Sequence, residues 1–393
     1  MEIYVTGLGL VTALGSGTEL NHNKLKSGLS GIGISKTGDL VSKPLPLGAF
    51  EWTNKEISDH LSISYSPLIS RTALLGLLAA RQIKQGVGSG LRKGFINGST
   101  VGGMDRSEIF YRQKLLNRDG SDFRHITMHD LGAVTNFISE SIGPFHYTNT
   151  ISTACSSSAN SIMLGARMIQ AGILDSVVAG GCDALSAFTI EGFNSLMIYD
   201  NEPLKPFDKN RKGLNLGEGA GYIQLESKKS MAVSGNKPIA VLSGWHNAND
   251  AYHQTAVSPE GTGPRLAIEG ALKKAGLEPN QIDYINAHGT GTANNDQSEL
   301  TAIESVFETV PPFSSTKSAL GHTLGAAGGI EAVVSVLSIL NNVIYPGINW
   351  KTPMDGFKSQ PVTSCIAEKP VANVLSNSFG FGGNSSSLIF SEI

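Results

Sequence analysis

Short β-branched and apolar runs alternate along this chain with longer helical patterns, and that alternation limits the fold more than any other feature. Strand-like segments lie at Ile3–Val5, Gly94–Asn97, Val177–Ala179, Gly221–Leu225, Ile239–Leu242, Tyr284–Asn286 and Leu388–Phe390. Helical patterns cover Arg71–Gln85, Ser158–Ala171, Gly263–Ala275, Ser298–Phe307 and Gly329–Asn341. This order predicts a layered α/β architecture. The chain also echoes itself. Ile239 to Gly244 resembles the opening Ile3 to Gly7, and a small-residue helix follows both Cys155 and Gly321-His322. Val177 to Gly181 resembles the later Val374–Gly383, which also ends in glycines. The echoes predict two similar halves, residues 1–235 and 236–393, joined near Gly235-Asn236-Lys237-Pro238. No Pro- or Ser-rich linker separates them, so a shared interface is expected.

Composition narrows the function classes. With 393 residues, 40% apolar and only 16% charged, the chain can bury a large core and does not read as disordered. A net charge of −3 gives no general attraction to nucleic acid or anionic membrane. Cys155, Cys182 and Cys365 form neither a disulfide framework nor a CxxC pair, so no metal is expected. The N-terminus lacks a basic region ahead of an apolar run, and the apolar stretch Ile330 to Ile344 is short for a bilayer. A cytoplasmic protein is expected.

Cys155 stands in Ser152-Thr153-Ala154-Cys155-Ser156-Ser157-Ser158, directly before a helical pattern. Unpaired N–H groups and the positive helix end favour a thiolate there, which suits a nucleophile. A buried structural thiol with hydroxylated capping neighbours is the plainer reading. Three further segments bear on the choice: Asn286-Ala287-His288-Gly289-Thr290-Gly291-Thr292, Ser314 to His322 with Lys317, and Asn377-Ser378-Phe379-Gly380-Phe381-Gly382-Gly383-Asn384. A nucleophile, two histidines, a lysine and a glycine-lined turn suffice for acyl transfer. Phenylalanine alternating with glycine predicts a tight turn with an aromatic wall and bare N–H groups. Competing readings are weaker. Gly7-Leu8-Gly9-Leu10-Val11-Thr12 misses a dinucleotide fingerprint at its third glycine, and Lys317-Ser318 lacks the upstream glycine of a phosphate loop. A non-catalytic partner protein would not need Cys155, His288, Lys317 and His322 together.

Taken in order, these segments resemble the elongating β-ketoacyl-[acyl carrier protein] synthases and the related polyketide ketosynthases. The resemblance runs from Val5-Thr6-Gly7-Leu8-Gly9 to Gly383 and includes Pro206-Phe207-Asp208 with Arg211, Gly217-Glu218-Gly219-Ala220-Gly221 and Asp250-Ala251-Tyr252-His253. It implies a thiolase-like αβαβα fold with two similar halves, usually dimeric, and a Cys155, His288, His322 site. It implies an oxyanion hole from the Cys155 and Phe381 N–H groups. Lys317 would supply positive charge, with Glu331, Phe379 and Gly380 in support. Thr290 and Thr292 would bind phosphopantetheine, and Val101, Phe193 and Phe381 would line the acyl pocket. No bound cofactor is implied; phosphopantetheine arrives on acyl carrier protein. The Phe379–Gly383 turn lacks the second cysteine of thiolytic relatives, and His322 stands where initiating synthases carry Asn. Both comparisons point to decarboxylative elongation.

Three departures bear on the substrate. The nucleophile is followed by three serines, as in many polyketide ketosynthases. Asn384 replaces a common threonine, and Asn54–Pro67 lacks the lysine-rich stretch that often helps dock carrier protein. Arg71, Arg112, Lys114, Arg118 and Arg124 are the candidate docking cations. The departures keep open a specialised enzyme of aryl polyene or polyketide assembly, paired with a chain-length-factor homologue in place of a second identical copy.

Overall fold

A computed structural model describes residues 2–35, 43–84, 90–116, 122–367 and 369–393. Among the described residues ten strands run across the main sheet, with the two-residue strand Gly15–Ser16 paired off its path to the first: β1 (Tyr4–Thr12), β2 (Lys93–Gly98), β3 (Tyr147–Ile151), β4 (Ser176–Asp183), β5 (Gly219–Glu226), β6 (Ala240–Asn249), β7 (Tyr284–Asn286), β8 (Phe313–Ser314), β9 (Asn373–Phe379) and β10 (Asn384–Ser391). Their spatial order is β8-β7-β9-β10-β6-β1-β5-β4-β2-β3. Each strand of one wing has its counterpart five numbers later in the other. Orientation repeats too: β2 is parallel to β3 and β4, as β7 is to β8 and β9, and β4–β5–β1 run antiparallel as β9–β10–β6 do. β1 and β6 pair antiparallel where the wings meet, through Tyr4↔Val241 and Val5↔Ala240. The expected echoes of β1 with β6 and of β4 with β9 therefore fall on equivalent strands.

The helices complete the layers. Helices α1 (Arg71–Ala80), α2 (Met104–Leu116), α3 (Leu131–Ile142), α4 (Ser157–Gln170) and α5 (Ala187–Ser195) precede α6 (Thr262–Ala275), α7 (Ala293–Val306) and α8 (Ala327–Asn341). α1 and α3 pack on the first wing, α6 and α7 on the second, and α4 and α8 touch both wings and each other. The result is αβαβα. Strands β4 and β5 are buried at every residue, as expected of strands covered on both faces. The expected helix Arg71–Gln85 ends at Ala80, and Gln85 lies outside the described residues.

Helix α8 is apolar on nearly every side because it has no solvent face. With the preceding turn it makes an 18-residue helical run, Leu324–Asn341, of mean hydropathy 1.6 and 89% buried. The apolar stretch is thus longer than its sequence limits imply, but it is core. Its glycines allow the close approach: a Cβ on Gly329 would lie 2.4 Å from the Gly221 carbonyl of β5.

Candidate active site

Cys155 sits between β3 and α4 and is 6% exposed. Ala154 before it adopts φ +53°, a left-handed conformation that few non-glycine residues take. The N–H groups of Phe381 and of Cys155 itself are directed to the sulfur, and Lys317 adds positive charge. Burial nevertheless dominates and pushes the thiol up to about 11, with Asp183 adding to the rise. The helix start does not produce a resting thiolate here, which corrects the expectation from the sequence. Desolvation of the charged form outweighs the dipole. Nor does the Ser156 side chain cap α4.

Two histidines meet in the same place. His288 follows β7, and His322 precedes the turn into α8. Their rings lie 5.4 Å apart and nearly perpendicular, and Phe379 packs 5.7 Å from His288. The Leu324 N–H donates to His322 Nδ1 at 3.2 Å. Lys317 Nζ donates to the His288 carbonyl at 2.6 Å, lies 3.2 Å from His288 Nδ1, and contacts the Glu331 carboxylate. Three ammonium hydrogens thus meet three acceptors. With both Nδ1 atoms accepting, each ring carries its proton on Nε2. Burial, with Lys317 alongside, holds both imidazoles well below the usual histidine range, so both are neutral donors. Burial raises the Glu331 carboxyl while Lys317 opposes it, and Ser378 Oγ donates to it at 3.3 Å.

The turn after β9 closes through Gly380 N–H to the Asn384 carbonyl at 2.8 Å. Phe381 stacks on Phe193 at 5.8 Å. One cavity of about 220 Å³ is lined by Cys155, both histidines, Thr290, Thr292, Phe379, Gly380 and Phe381. A second, of about 440 Å³, is lined by Val101, Met104, Leu324 and α5 residues. Cys155, Phe193 and Phe381 border both. Every sequence-predicted site residue therefore lies at one of the two cavities or braces it. Thr290 and Thr292 hydroxyls contact each other at 2.9 Å at the first cavity.

Carboxylates that the sequence reading passed over build the frame. Glu299 accepts the N–H groups of His288 and Gly289 at 2.8 and 2.7 Å, and burial lifts it to about 7. Asp296 accepts the N–H of Thr290 at 2.9 Å and that of Gly291. Asp183 accepts from Ser99, Thr100, Val101 and Gly325, tying the Val101 loop to the His322 loop. The available signal was spacing: Asp296 and Glu299, three apart, put two acids on the buried face of α7. One expected docking cation fails. Arg71 spends all its donors on Glu218, Asn54 and the Trp52 and Phe50 carbonyls, as the core of a buried ion pair. Arg118 lies outside the described residues.

Comparison with known proteins finds relatives over the whole chain. The β-ketoacyl synthase N-terminal domain family matches residues 75–230, and the C-terminal domain family matches residues 239–351. A 3-oxoacyl-[acyl-carrier-protein] synthase 2 of Staphylococcus aureus is 32% identical, covering 100% of this chain and 98% of its own. Among solved structures, the ishigamide ketosynthase/chain length factor superposes with TM-score 0.91 at 27% identity, over 100% of this chain and 99% of that one. A ketosynthase solved with its chain length factor from Xenorhabdus doucetiae gives TM-score 0.83 at 31% identity, over 100% and 98%.

Proposed function

The chain belongs to the β-ketoacyl synthase family, as an elongating condensing enzyme of the thiolase superfamily, and from that premise we propose how its residues divide the reaction. The thiol of Cys155 attacks an acyl thioester carried on acyl carrier protein. The acyl–Cys155 bond forms, and the carrier's phosphopantetheine leaves with the proton as free thiol. The N–H groups of Cys155 and Phe381 hold the tetrahedral oxyanion, a role worth roughly 3–4 kcal/mol per donor. Malonyl carrier protein then enters past Thr290 and Thr292 and loses carbon dioxide. The Nε2–H groups of His288 and His322 hold the resulting enolate oxygen. The enolate carbon attacks the acyl carbonyl, Cys155 sulfur leaves, and the chain is longer by two carbons.

The observation that carries this reading is the pair of neutral, perpendicular imidazoles, each with Nδ1 occupied by a donor. Neutral Nε2–H donors suit a developing enolate, whereas an imidazolium would lose its proton to it. In this scheme Lys317 and Glu331 set the His288 tautomer, and Phe379 and Gly380 shape the turn. Val101, Phe193 and Phe381 border the growing acyl chain, with the Phe193–Phe381 stack standing between the two cavities. Residues 1–235 carry the nucleophile and residues 236–393 the histidines, and the repeated strand order supports that division.

A cytoplasmic enzyme working with soluble carrier proteins fits these substrates. The alternative pathway, aryl polyene or polyketide assembly beside a chain-length factor, draws support from the ketosynthase–chain length factor neighbours. Acyl-labelled carrier protein tests the mechanism. Cys155→Ala should abolish labelling and condensation, and a variant that still condensed would sink the scheme. His288→Ala should block malonyl decarboxylation far more than labelling; equal loss of both would remove its assigned role.

A further inference from the structure

Asn384 opens β10 directly after the Phe381 turn, and its side chain reaches the nucleophile turn. Its Oδ1 lies 2.6 Å from Ser156 Oγ, 2.9 Å from Asn247 Nδ2 and 3.0 Å from Asn160 Nδ2. These partners come from the first turns of α4 and from β6, so one oxygen gathers donors from both wings. The cluster closes on itself: Asn160 Nδ2 also donates to Thr153 Oγ1 at 2.8 Å, and Ser386 Oγ to Asn160 Oδ1 at 2.9 Å. The Asn384 carbonyl meanwhile closes the turn that presents Phe381. That turn abuts the other directly. A Cβ on Gly380 would lie 2.9 Å from the Thr153 carbonyl and 3.2 Å from Cys155 N.

We propose that Asn384 is a positioning residue that locks the turn carrying the Phe381 N–H against the turn carrying Cys155, so that the two backbone donors converge. The proposal rests on the oxyanion role given above to those two N–H groups. Asn384 joins what neither turn can set alone. Each turn is closed by its own backbone, but their separation depends on contacts between wings. If the Phe381 N–H moves, the buried sulfur keeps only its own N–H and the Lys317 charge. Among charged groups it faces Lys317 and Asp183, with neutral His288 and His322 across the cavity. A turn misplaced by a fraction of an ångström weakens both the donor to the sulfur and the donor to the oxyanion.

The test uses the full-length enzyme with acyl-loaded carrier protein. Asn384→Ala should slow acyl transfer to Cys155 by about tenfold in kcat while leaving KM within about twofold. The inflection of Cys155 alkylation by iodoacetamide should move to higher pH. Ser156→Ala, a milder change that removes one donor and keeps the fold if Asn384→Ala does not, should move both readouts the same way and less. The double variant should fall no further than Asn384→Ala alone, because both act through one contact. Wild-type loading and alkylation in Asn384→Ala would overturn the proposal, as would a lowered melting temperature with an unmoved alkylation profile. If wild-type enzyme itself takes no acyl group on Cys155, the underlying mechanism fails instead.

Discussion

At the scale of single residues, burial rather than helix position sets the chemistry. Cys155, His288 and His322 are all pushed toward their neutral forms by desolvation. For His322 this has a measurable consequence. Its folded value lies below the ordinary histidine value of about 6.5, so the unfolded chain takes up a proton that the folded chain refuses. The folded state therefore loses stability as pH falls through that value, by about 1.4 kcal/mol per pH unit. His322→Asn removes the penalty. Relative to wild type, the variant should gain about 1 kcal/mol when urea melts at pH 7.5 and 5.5 are compared. A difference independent of pH would mean that His322 titrates alike in the folded and unfolded protein. The sequence showed these residues plainly, since glycines and small residues surround each one. It did not show Glu299, Asp296 or Asp183, because an acid accepting backbone N–H groups looks like any surface acid until the chain is folded round it. Arg71 is the reverse case: a cation that reads as available and is in fact enclosed by Glu218.

At the scale of elements, α4 and α8 position the chemistry, and both do so by lacking side-chain bulk. α8 approaches β5 and β4 closely enough that Gly329 has no room for a methyl group, with the Gly181 N–H at 3.1 Å from the missing Cβ. Gly329→Ala forces the helix off the sheet and should cost about 3 kcal/mol in a denaturant melt. Because α8 also carries Glu331, loss of condensation should exceed what the unfolded fraction explains. Unchanged stability would show that the helix can shift freely. The sequence patterns located these elements well, with β7 found at its full extent and α4, α6 and α8 within a few residues at each end. Helix α7 was recognised only from Ser298 onward. Its first turn, Ala293 to Asp296, is polar because it borders the cavity and bonds to the Thr290 loop, so hydrophobic periodicity begins late there.

Across the whole molecule, one surface stands apart. Helix α2 buries none of its residues, and Tyr111, Leu115, Leu116, Phe123, Phe188 and Met197 are each at least 64% exposed. The edge strand β3 lies in the same wing and pairs only with β2 among the described residues. Exposed apolar groups on this scale fit an assembly contact with a second thiolase-fold protomer. Light scattering should give a dimer mass for the purified chain. A Tyr111→Glu, Leu116→Glu double variant should run as monomer, whereas a monomeric wild type that dimerises only with a co-expressed homologue would mark the chain as half of a heteromeric pair. The sequence by itself determined the layered class, the doubled architecture, and the cysteine and two histidines that line one cavity, because periodicity and small-residue context are local and survive without a fold. Tertiary structure alone decided which groups are charged, which carboxylates brace the loops, and how the Cys155 and Phe381 turns come together. Those depend on burial and on contacts between segments some two hundred residues apart, such as Ser156 with Asn384, which no local pattern records.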